Sequence, residues 1–274
     1  MKVIVSHDVD HLHPSEHFFN DLFLPKMWVR SMLECLHRQI SLKVFINRFL
    51  LTFGKRLNRI VELCEYDKSK GVKATYFFGM DNVLGMSYKK EKALPYIKYV
   101  IAQGFDAGVH GCNFDDAEAI KKEHDTFALL TGELFFGVRN HYVRYNTNTF
   151  QYMSDAGYRF DTTEFNKLEL EYKAPYKVGN MWEFPLSIMD VYVLHHNYNE
   201  AQRQVRTFVD EVSQIKGAYL TILLHDTSYN PKTHPEEKAF YEWLIDYLIC
   251  KGAEFVTYKE AIIELENEGK HKRS

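Results

Sequence analysis

Short apolar runs alternate with stretches of helical periodicity from one end of the chain to the other. Strands are expected at Val3–Ser6, Ala74–Phe78, Phe105–His110, Gly137–Arg139, Tyr158–Asp161, Met189–Leu194, Leu220–His225 and Phe255–Tyr258, where β-branched and aromatic residues cluster. Helices are expected near Lys90–Gln103, Asp115–Thr131, Thr147–Asp155, Glu200–Ile215, Pro235–Lys251 and Lys259–Glu266. Pro235 suits a helix start and Gly252 the position just past its end. Strand–helix alternation of this kind builds a parallel sheet, and seven or eight such units favour a (β/α) barrel over an open sheet. No repeat, low-complexity tract or linker divides the chain, so residues 1–274 are expected to form one α/β domain.

One region breaks the rhythm. About seventy residues separate the first two strands, far more than a strand-to-helix connection needs. Residues 18–70 therefore read as a helical insertion after the first strand. Its segment from Phe18 to Glu65 is rich in large apolar side chains and carries many Lys and Arg against few acids.

Composition narrows the class. With 46% hydrophobic and 26% charged residues the chain is globular. A net charge of −3 speaks against general nucleic-acid binding. Cys35, Cys64, Cys112 and Cys250 include no CxxC pair and read as reduced thiols of a cytoplasmic protein. The first strand follows Met1 and Lys2 directly, so no signal peptide is expected, and no apolar run is long enough to span a membrane.

Candidate chemistry collects at the C-terminal ends of the expected strands, where parallel barrels hold their active sites. His7, Asp8, Asp10 and His11 follow the first strand; His110, Asn113, Asp115 and Asp116 the third; Arg139, His141 and Arg144 the fourth. Asp161 ends the fifth, and His225 and Asp226 follow the seventh. These termini would converge on one pocket, and imidazoles with carboxylates at close range suit a divalent ion, zinc first.

In their order these segments resemble the polysaccharide deacetylase (NodB-type) family. "VIVSHDVDH" is similar to its first motif, "DAGVHGCNF" to the second, "GVRNHYVRY" to the third and "TILLHD" to the last, with "ATYFF" like its second strand. The resemblance implies an irregular barrel of seven or eight strands and metal-dependent removal of acetyl groups from carbohydrates. It implies Asp8 as general base, Asp10 and His110 as metal ligands, Arg139 as the residue orienting the base and His225 as general acid. The chain departs from the family where a second histidine usually stands four residues after the first: that position is Phe114, which cannot bind metal. His141, at a neighbouring strand end, is the first choice to fill the gap, with Asp115 and His11 as alternatives.

Other readings stand beside these. Asp161 either orients His225 or serves its own turn, and Asp226 is as well explained by structure. His195 and His196 are left without a role, His13, His37, His124 and His234 are read as solvated, and Tyr142, Tyr145 and Tyr229 are candidates to stack on a sugar. The DxD of the first motif also resembles that of haloacid-dehalogenase phosphatases, although the strand-end histidines have no place in that mechanism. A third possibility is a non-catalytic carbohydrate-binding or scaffold protein on the deacetylase fold. The insertion is either a cap on the barrel or a basic, apolar surface for an anionic membrane. The latter, through residues 18–65, would suit a cytoplasmic, membrane-associated enzyme acting on a lipid- or nucleotide-linked precursor of a surface polysaccharide such as O-antigen or capsule.

Overall fold

A computed structural model describes residues 1–17, 22–194 and 198–271. His195, His196 and the first residues of the insertion, from Phe18, lie outside the described residues. In chain order the elements are β1 (Lys2–Val9), α1 (Phe23–Leu36), α2 (Leu42–Leu51), α3 (Ile60–Lys70), β2 (Ala74–Gly79), α4 (Lys90–Ala102), β3 (Asp106–Gly111), α5 (Ala117–Thr131), β4 (Val138–Asn140) and α6 (Thr149–Ala156). They continue with β5 (Phe160–Asp161), β6 (Tyr176–Val178), β7 (Met181–Glu183), β8 (Ile188–Met189), α7 (Asp190–Val193), α8 (Tyr198–Ser213), β9 (Tyr219–His225), α9 (Pro235–Cys250), β10 (Glu254–Phe255) and α10 (Tyr258–His271).

The strands form one curled sheet in the order β6-β7-β5-β4-β3-β2-β1-β9-β8, with β10 beside the start of β1. Among these pairings only β6–β7 is antiparallel. A parallel bridge between Phe165 and Leu186 joins the β5 side of the sheet to the β8 side. This is the expected α/β architecture, an irregular barrel.

The period-two alternation of β1 explains how this sheet builds a pocket. Val3, Val5 and Val9 belong to the large apolar layer between sheet and helices. Ile4 faces the other way, into an inner cluster with Phe77, Phe160, Phe184 and Tyr258. That cluster plugs the barrel floor, and the next residues on the same side of β1 are Ser6 and Asp8. Close strand approach at the neighbouring positions requires glycine: a Cβ on Gly108 would lie 2.8 Å from the Gly137 carbonyl oxygen and from the Phe77 ring, and one on Gly137 would strike the Phe160 ring.

Three expectations need correction. The sixth strand does not run from Met189 to Leu194: β8 ends at Met189, and Asp190 opens a single helical turn closed by Leu194 N–H to Asp190 O at 3.2 Å. The last strand stops at Phe255, because Tyr258 turns into the inner cluster and starts α10. The β6–β7 hairpin falls where no strand is expected; its segments are three residues each, too short to show a period, around Gly179 at φ 56°.

Candidate metal centre

Asp8 and Arg139 meet inside the barrel, above the apolar floor. Arg139 Nη1 donates to Asp8 Oδ1 at 3.0 Å, and both side chains are buried. The rest of the guanidinium is held as well: Nε donates to Thr162 O at 3.1 Å, Nη2 to Ser6 Oγ at 2.7 Å, and the plane lies 4.8 Å over the Phe77 ring. A buried arginine so anchored can orient a carboxylate without adjusting to it.

Beyond Asp8, the alternation of β1 carries Asp10 to the same side, where His110 from β3 and His141 after β4 converge on it. His110 Nε2 lies 3.1 Å from Asp10 Oδ1, His141 Nδ1 lies 3.3 Å from the same oxygen, and the two nitrogens are 3.0 Å apart. Each histidine offers its other nitrogen to a backbone carbonyl, His110 Nδ1 to Arg139 O at 2.9 Å and His141 Nε2 to Leu84 O at 3.2 Å. A ring that donates there presents a lone pair at the cluster. Two lone pairs and a carboxylate oxygen then face one point, and Asp10 Oδ1 is buried without a hydrogen-bond partner. Ligands about 2.0–2.1 Å from a shared tetrahedral centre stand roughly 3.3 Å apart, so this trio fits a divalent ion. Asp10, His110 and His141 form the group able to hold a metal among the described residues.

The electrostatics agree. Burial raises the Asp10 carboxyl, but His141 and His110 outweigh it and hold it well below the usual carboxylate range. Burial lowers the His110 imidazole, and Asp8 and Asp10 reverse this to a net upward shift. The field that would draw a proton onto His110 would equally draw a metal cation. The backbone after His141 is strained: Tyr142 and Val143 take φ of 60° and 46°, unusual for consecutive non-glycine residues and rarest for a β-branched one. Asn140 Nδ2 clamps the turn by donating to Arg144 O at 2.9 Å.

His225 ends β9 directly beside Asp8 in the sheet register. Its Nδ1 is 2.8 Å from Asp190 Oδ1, its backbone N–H donates to Asp190 Oδ2 at 3.1 Å, and Nε2 faces the pocket 3.9 Å from Asp10 Oδ2. Burial lowers this imidazole, and Asp190, then Asp10 and Asp8, raise it to about 10. Asp190 sits in an apolar stretch that reads as strand, so the sequence gives it no role.

The remaining candidates stand elsewhere. His7 is on the outer side of β1, with Nε2 3.0 Å from Asp67 Oδ2 and Nδ1 3.1 Å from Leu224 O. Asp67 also accepts from the Tyr241 hydroxyl at 2.6 Å, so the group ties α3 and α9 to the sheet. His11 pairs with His17 at 3.1 Å and stacks on Phe23, while Asp115 is exposed; neither joins the cluster. Phe114 lies under the Arg144 guanidinium at 5.1 Å. Asp226 accepts the Arg59 backbone N–H at 2.8 Å and anchors the start of α3. Of the tyrosines, Tyr142 and Tyr145 are exposed, whereas Tyr229 is buried and donates to Glu242 at 2.8 Å. His234 is only partly exposed, with burial pushing its imidazole down to about 3.

Asp161 does not orient His225. It faces Glu183 across the β5–β7 register, accepts from Thr163 Oγ1 at 2.6 Å, and is buried like its partner. Burial first, then Asp161, drives the Glu183 carboxyl well above its ordinary value, so the pair keeps a proton. A carboxyl raised in the folded state favours folding less as pH climbs above its unfolded value of 4.5. Glu183→Gln should flatten that decline in urea unfolding followed from pH 5 to 9. Equal slopes for the two proteins would show that the pair is not protonated.

No protein-family model matches the chain, and no curated protein matches it. Solved structures do. A polysaccharide deacetylase from Mycobacterium smegmatis is 14% identical, with 98% of this chain and 91% of that one covered at a TM-score of 0.63. A polysaccharide deacetylase from Pseudomonas aeruginosa PAO1 is 16% identical over 74% and 71% of the two chains, with a TM-score of 0.56. The Puue allantoinase is 13% identical over 95% and 87%, also with a TM-score of 0.56. The chain therefore has the fold of the polysaccharide deacetylases, a fold that at this identity is shared with enzymes acting on other substrates.

Proposed function

We propose that this chain is a metal-dependent hydrolase that removes an acetyl or similar acyl group from a carbohydrate, in the cytoplasm, on a lipid- or nucleotide-linked precursor of a surface polysaccharide such as O-antigen or capsule. The observation that carries the reading is the convergence of two histidine nitrogens on the buried Asp10 Oδ1, beside an anchored Asp8 and a pocket-facing His225. The non-catalytic alternative rests on Phe114, and the place of His141 beside Asp10 and His110 favours the hydrolase reading.

Asp10, His110 and His141 would hold the ion, zinc first. When bound, it supplies a polarised water and an electrophile for the carbonyl oxygen. Asp8, fixed by Arg139, accepts the proton of the attacking water. His225 donates from Nε2 to the departing nitrogen or oxygen, while Asp190 holds Nδ1 and stabilises the protonated ring. The sugar reaches these groups at the C-terminal strand ends, where Tyr142 and Tyr145 are exposed.

Metal analysis and a deacylation assay test the proposal together. The purified protein should carry about one equivalent of zinc after reconstitution, and release acetate from some member of a panel of acetylated sugar nucleotides and lipid-linked sugars only when loaded. His141→Ala should lower zinc content, since three protein ligands plus water make the usual catalytic zinc site. Undiminished zinc in that variant would place the third ligand elsewhere, and a protein that takes up no metal would remove the hydrolase reading.

A further inference from the structure

The insertion turns its apolar sides outward. At 100° per residue Val29, Leu33 and Leu36 of α1 share one exposed stripe, opposite the buried Leu24 and Ser31, with Leu22 exposed just before the helix. On α2 the exposed stripe is Leu42, Ile46, Phe49 and Leu50, continued by Phe53. Its opposite side mixes the partly buried Val44 and Leu51 with Asn47 and Arg48, which tie it to the barrel: Asn47 Nδ2 donates to Lys232 O at 3.2 Å and Arg48 Nε to Thr233 O at 2.9 Å. Leu36 and Phe53 are 71% and 73% exposed. Tilted and edge-on ring contacts join the two helices, with Trp28 5.3 Å from Phe49 and Phe49 5.7 Å from Phe53. Apolar stripes that the barrel leaves exposed make a surface to be covered by something else.

Charge identifies the cover. Lys26, Arg30, Arg38, Lys43 and Lys55 stand exposed along or beside the stripes, and Glu34 is the single acid between residues 22 and 59. Glu34 already accepts from Arg30 and Arg48, at 2.7 and 2.6 Å. A second copy docked face to face would set these cations against their own kind. Apolar side chains rimmed by lysine and arginine instead match the acyl and phosphate layers of an anionic bilayer. The hairpin also returns to the barrel at the pocket end: Leu57 N–H donates to Leu12 O at 2.8 Å, two residues after Asp10, and Arg59 N–H to Asp226, next to His225. No helix among the described residues is long and apolar enough to cross a membrane, so the contact is with the surface.

We propose that the α1–α2 hairpin seats this chain on an anionic lipid bilayer, its apolar stripes in the interface and its cations against lipid phosphates, at the same end of the barrel as Asp10, His110 and His141. The inference stands on the hairpin alone and does not rest on the hydrolase reading. The test is co-sedimentation of the full chain with phosphatidylcholine vesicles, with and without phosphatidylglycerol. Binding should require the anionic lipid and weaken with salt. Leu36→Glu with Phe53→Glu should lower it by at least about tenfold. Lys26→Glu and Lys43→Glu should each weaken it roughly fivefold or more while leaving the apolar surface intact. Zinc content and circular dichroism should be unchanged in all of them, since these side chains are exposed. Equal binding to both vesicle types, or to neither, overturns the proposal. So does self-association of the protein that Leu36→Glu abolishes, which would make the face an interface between copies.

Discussion

Asp10→Asn is expected to abolish stoichiometric zinc binding, whereas Asp8→Asn should stay metal-loaded and lose about 10²–10⁴ in kcat. The two carboxylates are one turn of the strand alternation apart, yet their surroundings differ. Asp10 Oδ1 is the point on which both histidine nitrogens converge, and a neutral amide there gives up the charge that holds the cation. Asp8 is 3.8 Å from His110 Nε2 and is bound to Arg139 instead, so its change to Asn removes a proton acceptor and spares the cluster. Inductively coupled plasma analysis of each variant, read beside its turnover, separates the roles. Arg139→Lys should fall with Asp8→Asn, because a point ammonium cannot hold Asp8, Ser6 and Thr162 together. Loss of metal from Asp8→Asn and its retention in Asp10→Asn would exchange the assignments.

How much of this centre is legible in the sequence depends on which side chains sit on regular elements. Asp8 lies on β1 and Asp10 directly past its end, and continuing the period of two places them on one side whatever the rest of the fold. His110, Arg139 and His225 end apolar runs and could be located by that alone. The same alternation puts His7 on the opposite side from Asp8, which removes it as a ligand candidate. His141 follows the end of a three-residue strand and opens a left-handed turn at Tyr142 and Val143, a conformation that no propensity signals. It could be inferred only from the gap at Phe114. Asp190 left no trace, because β8 is two residues long and the turn after it is built from Val191, Tyr192 and Val193, which read as strand. Its partner is 35 positions away in sequence, and only the β8–β9 pairing brings them together.

That missed pair yields the second large effect. His225→Ala should cost about 10²–10⁴ in kcat with zinc retained, since the leaving group then departs without a positioned proton donor. Asp190→Asn should act differently. With Asp190 in place, His225 rises from an ordinary 6.5 to about 10, so the ring keeps its proton throughout the neutral range. An amide at 190 still accepts from Nδ1 but no longer offsets the burial that disfavours the imidazolium. The alkaline limb of kcat should therefore move to lower pH, with activity at mildly acidic pH much closer to the parent. Stability carries the same sign: because the folded value is raised, the pairing contributes in full below about 6.5 and is lost as pH rises through about 10. Asp190→Asn should then unfold at lower urea than the parent near pH 7, and the difference should shrink above pH 10. A variant that loses activity equally at every pH, with an unmoved alkaline limb, would make Asp190 a packing residue and leave the protonation of His225 to its other neighbours, Asp10 and Asp8.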